Sequence, residues 1–248
     1  MHAALKAHEI GPEDEVITSP FTFIATANAI RYVNATPTFV DINPKTYNID
    51  YKQIESKITS KTKAILVVHL FGQPCNMKKL EEIATKHNLV IIEDACQAHG
   101  ASINNSKIGS KHVACFSFYP TKNMTTGEGG MITTNSEKIA KKLRRIISHG
   151  SAKRYHHSEF GHNFRMTNIA AAIGIEQLKK LPLFNQKRRE NAEYYTKNLS
   201  KTTFLKTPLT HNGHAMHQYT LRINSNNPVN KKRDSLKKYL LSKKEITF

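Results

Sequence analysis

A chain of 248 residues with 39% hydrophobic side chains can bury one large core and part of a second. Its three cysteines, Cys75, Cys96 and Cys115, are widely spaced with no Cys-x-x-Cys pair, which argues against a disulfide framework and a thiolate zinc site and for a reducing compartment, the cytoplasm. The formal net charge is +18, but the lysines are dispersed, and the densest basic patch (residues 227–234) has no interleaved aromatics for base stacking, so nucleic acid is not an expected partner.

In chain order, residues 15–18 read as a strand, 23–32 as a helix and 38–42 as a second strand. The run 64–69 is a buried strand, and Asn76 is an N-cap for a helix over 77–87. Strands follow at 90–93, 113–118 and 131–134, then a helix at 137–148. His149 and His156-His157 sit in a polar loop with no carboxylate or thiolate at ligand spacing, so no metal site is expected. A helix over 166–180 is predicted to end at Pro182, with 184–199 a second, linking helix. The polar tail from Lys201 holds a strand-like stretch at 218–223 and a helical one at 231–241. Strands alternating with helices imply an α/β fold with a mostly parallel sheet. No stretch approaches the roughly 18 apolar residues of a membrane span, so no membrane is expected.

Two segments carry chemistry. Phe116-Ser117-Phe118-Tyr119-Pro120-Thr121-Lys122-Asn123 places a lysine just past a core strand, in a turn closed by Gly127, Gly129 and Gly130. Low-dielectric surroundings there favour a neutral, nucleophilic amine, as a Schiff-base lysine requires. The alternative is a loop lysine snorkelling to solvent. In Glu93-Asp94-Ala95-Cys96-Gln97-Ala98-His99-Gly100, Asp94 ends a continuous apolar run. In open α/β sheets ligands gather at the carboxyl ends of strands, where a carboxylate can hold the proton of a pyridine nitrogen. The alternative for Asp94 is a helix N-cap.

Together these segments resemble the DegT/DnrJ/StrS sugar aminotransferases. Other blocks agree in the family's order: Gly11-Pro12-Glu13-Asp14-Glu15-Val16-Ile17, Phe21-Thr22-Phe23-Ile24-Ala25-Thr26-Ala27-Asn28, Val68-His69-Leu70-Phe71-Gly72-Gln73-Pro74, and Gly161-His162-Asn163-Phe164-Arg165-Met166-Thr167-Asn168. The likeness runs to about Leu181 and weakens beyond.

The resemblance implies a fold-type I large domain, a mostly parallel mixed sheet flanked by helices, with part of a small α+β domain. It implies pyridoxal 5'-phosphate as cofactor, Lys122 as Schiff-base lysine and acid–base group, and Asp94 at the pyridine nitrogen. Gln97 would contact the ring's hydroxyl side, Phe23 the ring face, and Ser117 the phosphate. Asn163 and Arg165 would reach the neighbouring subunit's phosphate in an obligatory homodimer with shared sites. Alternatives stay open: core packing for Phe23, a local salt bridge for Arg165, a turn-only role for Glu128. His69 is assigned either to the sugar site or to a structural role. Tyr119 stands where relatives often have histidine and is expected to tune the substrate site. Relatives that act as dehydratases carry histidine in place of the lysine, so Lys122 favours transamination.

The expected division is a cofactor-binding large domain (1–182), a linking helix (183–200) and a partial small domain (201–248). Residues 1–7 look like the tail of a helix and 242–248 like the start of a strand, so the chain reads as the middle of a longer enzyme that lacks the family's N-terminal phosphate turn. The expected activity is transamination of a nucleotide-linked keto-sugar, with glutamate as amino donor, for polysaccharide amino-sugar synthesis. One rival is an inactive truncated remnant, a second a basic nucleic-acid-binding protein. A yellow cofactor adduct separates the enzyme from both.

Overall fold

The computed structural model describes residues 1–223 and 229–243. The expected strand start at 242–248 therefore falls largely outside the described residues, as does part of the basic patch at 227–234.

A six-stranded sheet organises the molecule. Its strands are β1 (Glu15–Thr18), β2 (Thr36–Phe39), β3 (Thr62–Val68), β4 (Val90–Asp94), β7 (Val113–Ser117) and β8 (Gly130–Thr133), in the order β2-β1-β3-β4-β7-β8. A small hairpin, β5 (Ser102–Ile103) and β6 (Ser106–Lys107), interrupts the sequence before β7. All neighbours in the large sheet are parallel except β7 and β8.

Successive strand residues point to opposite faces, and here both faces are covered. Val16, Leu66, Ile92 and Val113 pack with Leu5, Ile30 and Val33 on one side. Ile17, Ile65, Val67 and Ile91 pack with Ile54, Leu80 and Ile83 on the other. That explains the unbroken Val/Ile runs, since a strand buried on both faces needs no polar alternation. The covering helices include α1 (His2–Ala7), α2 (Ala25–Tyr32), α3 (Met77–Lys86) and α4 (Glu137–Ile146). Asn76 caps α3 as expected, its Oδ1 accepting from Lys79 N.

Two expectations need correction. Strand β2 lies at Thr36–Phe39, earlier than the run 38–42, and contains Pro37. An edge strand tolerates the missing N–H of proline, and β2 is the sheet's edge. Pro182 does not end its helix: α5 runs unbroken over Asn168–Leu199 with Pro182 inside. A mid-helix proline costs about 3 kcal/mol, and side chains around it are pinned to the body. Leu181 packs against Phe118 and Met124, and buried Asn185 donates to His99 O at 2.7 Å.

Beyond α5, strands β11 (Leu205–Lys206) and β12 (Arg222–Ile223) form an antiparallel pair, and α6 spans Val229–Ser242. A hairpin of β9 (Ser151–Lys153) and β10 (His156–His157) follows α4. Residues 213–217, inside the stretch expected to form the small domain, join the large body. Ser102 N donates to Gly213 O, Ala215 N to Gly72 O and His217 N to Phe71 O, each at 2.9 Å.

Candidate active site

Asp94 closes β4 and is 5% exposed. Its Oδ1 accepts from Cys96 N at 3.2 Å, the local cap the sequence allows. Its Oδ2 accepts from the hydroxyl of Thr26, on α2, at 2.8 Å. Thr26 is fully buried and its hydroxyl also meets Thr22 Oγ1 at 3.0 Å. This contact fixes the start of α2 over the carboxylate and places Phe23, three residues earlier, at the same strand end. Phe23 is 73% exposed, so it is not a core residue. Its backbone carbonyl accepts from Thr26 N at 3.1 Å, and an exposed aromatic ring at such a position is available to a planar ligand.

Gln97 follows Asp94 by three residues, and its Oε1 accepts from Phe71 N at 2.6 Å. Phe71 sits at φ 58°, in the left-handed region, so this bond holds a strained backbone position. Gln97 thus uses its carbonyl end on the protein and keeps its amide end for other partners.

The neighbouring strand carries the lysine. Asp94 pairs with Cys115 across β4 and β7, and Ser117 is two residues further along β7. Ser117 Oγ accepts from Tyr119 N at 3.3 Å, and Lys122 N donates to Tyr119 O at 3.0 Å, which closes the turn. Lys122 is half-buried and Tyr119 exposed. The glycines after it are required: Gly127 and Gly129 lie at φ 77° and 153°, and a Cβ on Gly129 would come within 2.6 Å of Thr126 Oγ1. Glu128 is exposed and its carbonyl accepts from Thr126 Oγ1, so its side chain is not used by the turn.

Two histidines adjoin the lysine. Burial pushes the imidazole of His99 down to about 4, and the Lys122 charge adds to the effect. The same two causes, burial first, take His217 to about 4. Both are neutral at neutral pH.

The other three expected residues take their side-chain partners elsewhere, although His69 N donates to Asp94 O at 3.1 Å. His69 is fully buried, with Nε2 on Glu93 Oε2 at 2.8 Å and Nδ1 accepting from Cys75 N at 3.0 Å. Both ring nitrogens serve the interior, as in its structural alternative. Asn163 and Arg165 are exposed on the loop before α5, Arg165 Nε donating to Asn163 Oδ1 at 3.0 Å. A surface cavity of ≈ 460 Å³ puts Arg165 beside Glu128 and Gly129. Sequence reading gave no role to Thr26, Asn123 or His217. Thr26 has only the Thr-x-x-x-Thr spacing as a signal, and His217 lies 95 positions beyond Lys122.

Among the described residues no group of three or more His, Cys, Asp or Glu could hold a metal ion, and no helix is long and apolar enough to cross a membrane.

Known proteins resemble this chain in sequence and fold. The chain is 44% identical over 246 residues to a "pleiotropic regulatory protein" of Geobacillus stearothermophilus, covering 97% of this chain and 64% of the relative. It is 43% identical over 230 residues to a UDP-N-acetyl-3-dehydro-alpha-D-glucosamine 3-aminotransferase of Acidithiobacillus ferrooxidans, covering 91% and 62%. The chain thus spans less than two thirds of the length of these relatives. Among solved structures, S. venezuelae DesV in complex with a ketimine intermediate superposes with a TM-score of 0.92 at 35% identity, covering 98% of this chain and 64% of that one. The fold is therefore that of the fold-type I aminotransferases. The sequence profile of the DegT/DnrJ/EryC1/StrS aminotransferase family matches residues 1–248, and the chain belongs to that family.

Proposed function

We propose that this chain forms the cofactor-binding part of a pyridoxal phosphate-dependent aminotransferase that acts on a nucleotide-linked keto-sugar, with glutamate as amino donor, in the cytoplasm. One observation carries the reading: the buried, oriented carboxylate of Asp94 ends β4, half-buried Lys122 lies in the turn that follows the adjacent strand β7, and exposed Phe23 sits one turn before the Thr26 that bonds Asp94. The donor set fits the cofactor, because it offers a nucleophilic amine, an anion for a pyridinium and a ring surface. The substrate class rests on the aminotransferase relative from Acidithiobacillus ferrooxidans.

When bound, pyridoxal phosphate supplies an electron sink for the carbanion formed at the amino-bearing carbon. Asp94 holds a proton on the ring nitrogen, and the Thr26 hydroxyl fixes that carboxylate. Lys122 would hold the cofactor through its side-chain amine, and that amine would be the group that moves the α-proton. Ser117 would bind phosphate, Gln97 would offer its amide end to the ring's hydroxyl side, and Phe23 would cover a ring face. Tyr119 faces the substrate. Asn163 and Arg165 serve a neighbouring subunit's phosphate. Exposed Ile169, Ile173, Ile175 and Leu178, at 46–78% exposure, give the apolar surface that such a homodimer buries.

Adding pyridoxal phosphate is expected to give a yellow protein, bleached by glutamate as the amine form of the cofactor accumulates. Lys122→Ala abolishes both changes. A colourless wild-type protein, or a yellow Lys122→Ala variant, contradicts the reading.

A further inference from the structure

The residue after the lysine is a buried hub. Asn123 is 3% exposed, and every polar atom of its side chain is engaged. Its Nδ2 donates to Asn185 Oδ1 at 2.8 Å and to Ala215 O at 2.7 Å. Its Oδ1 meets His217 Nδ1 at 3.0 Å. Two oxygens at one end of the amide identify that end as the nitrogen, so the other end is the acceptor. His217 Nδ1 must then carry the hydrogen. Asn185 Nδ2 continues the network to His99 O at 2.7 Å.

This hub joins the two halves of the site. From Asn123 the path runs to His217, whose backbone N donates to Phe71 O at 2.9 Å. Phe71 N in turn donates to Gln97 Oε1 at 2.6 Å, three residues after Asp94. Arg188 clamps the same segment through Met216 O and His217 O, at 3.5 and 3.3 Å. The lysine turn and the carboxylate turn are thus tied together through residues 215–217. Loss of one bond in a saturated buried network leaves partners unsatisfied, so its effect spreads along the chain of contacts.

We propose that Asn123 and His217 are positioning residues for Lys122, setting its turn against the Asp94–Gln97 turn through the Asn123–His217–Phe71–Gln97 relay. This rests on the reading of Lys122 as the cofactor lysine. A neutral His217 suits the role, since its protonated form would put a second cation beside Lys122. Burial keeps it neutral.

The test uses the full chain as wild type and as His217→Leu, which removes the donor, and His217→Asn, whose amide can donate in its place. Reductive methylation with formaldehyde and cyanoborohydride, followed by peptide mapping, gives the labelling ratio of Lys122 to exposed Lys180 without any cofactor. Pyridoxal phosphate titration and borohydride trapping give cofactor affinity and the share fixed on Lys122. His217→Leu is expected to raise the Lys122 to Lys180 ratio about threefold and weaken cofactor binding about tenfold. His217→Asn is expected to restore both.

A general loss of packing would lower the melting temperature without moving Lys122 labelling relative to Lys180, and that result overturns the proposal. So does a folded His217→Asn that fails to rescue. Should His217→Leu show no cooperative melt, His217→Asn against wild type decides: a labelling ratio within about 1.5-fold and a cofactor affinity within about threefold support the proposal, and a larger change in either overturns it. If wild-type trapping misses Lys122 altogether, the functional reading fails, while the cofactor-free ratio still judges the hub.

Discussion

A hydroxyl and a backbone amide set the orientation of the carboxylate on which the proposed chemistry turns. Thr26 reaches Asp94 across 68 residues, and the two are almost wholly buried. With one oxygen on Cys96 N and the other on Thr26, Asp94 has a fixed plane and keeps lone pairs for a pyridinium proton. Replacing Asp94 by Asn preserves shape but removes the charge that holds the proton. Asp94→Asn is expected to bind pyridoxal phosphate yet slow the glutamate half-reaction by about a hundredfold or more, measured in single turnovers. A near-normal rate would reduce Asp94 to a turn cap. The place of Asp94 at a strand end was legible because it ends an apolar run. Thr26 was not, since helical spacing shows which residues share a face but not what that face meets.

At the scale of elements, the strap at residues 213–217 departs most from expectation. Its sequence has no strong strand or helix pattern, and its place is set by bonds to Gly72, Phe71, Ser102 and Asn123 that no local pattern announces. The long helix α5 teaches the same lesson from the other side. Propensity favours a break at Pro182, and the contacts of Leu181 and Asn185 override it. The strap also carries a pH signature. Burial lowers His99 and His217 to about 4 and His214 to about 3, from the ordinary 6.5. Below the ordinary value the unfolded chain binds protons that the fold excludes, so stability falls as pH drops from about 6.5 toward 4 and levels off below the folded values. Thermal melts across this window should show a falling midpoint, with a shallower slope in His217→Asn. A midpoint independent of pH would refute the buried neutral imidazoles.

For the whole molecule, the sheet was legible because continuous apolar runs have one economical solution, a parallel sheet covered on both faces. The positions of Asn163 and Arg165 were not, because their partners are not on this chain in the proposed arrangement. Exposed Ile169 and Ile173 flank Ala170, which lines the cavity beside Arg165. Changing both isoleucines to Asp is expected to convert a dimer to monomers in sedimentation and to weaken cofactor binding with it. Dimers that persist with unchanged affinity would remove Arg165 from the phosphate site.

Lys122, among the many lysines of this chain, is the residue proposed to take the cofactor. Loading the protein with pyridoxal phosphate, reducing with borohydride and mapping peptides by mass spectrometry tests it directly. One pyridoxyl group per chain is expected, on the peptide containing Lys122, and none in Lys122→Ala. A stoichiometric label on any other lysine, or label spread over exposed lysines with none enriched at Lys122, would contradict it.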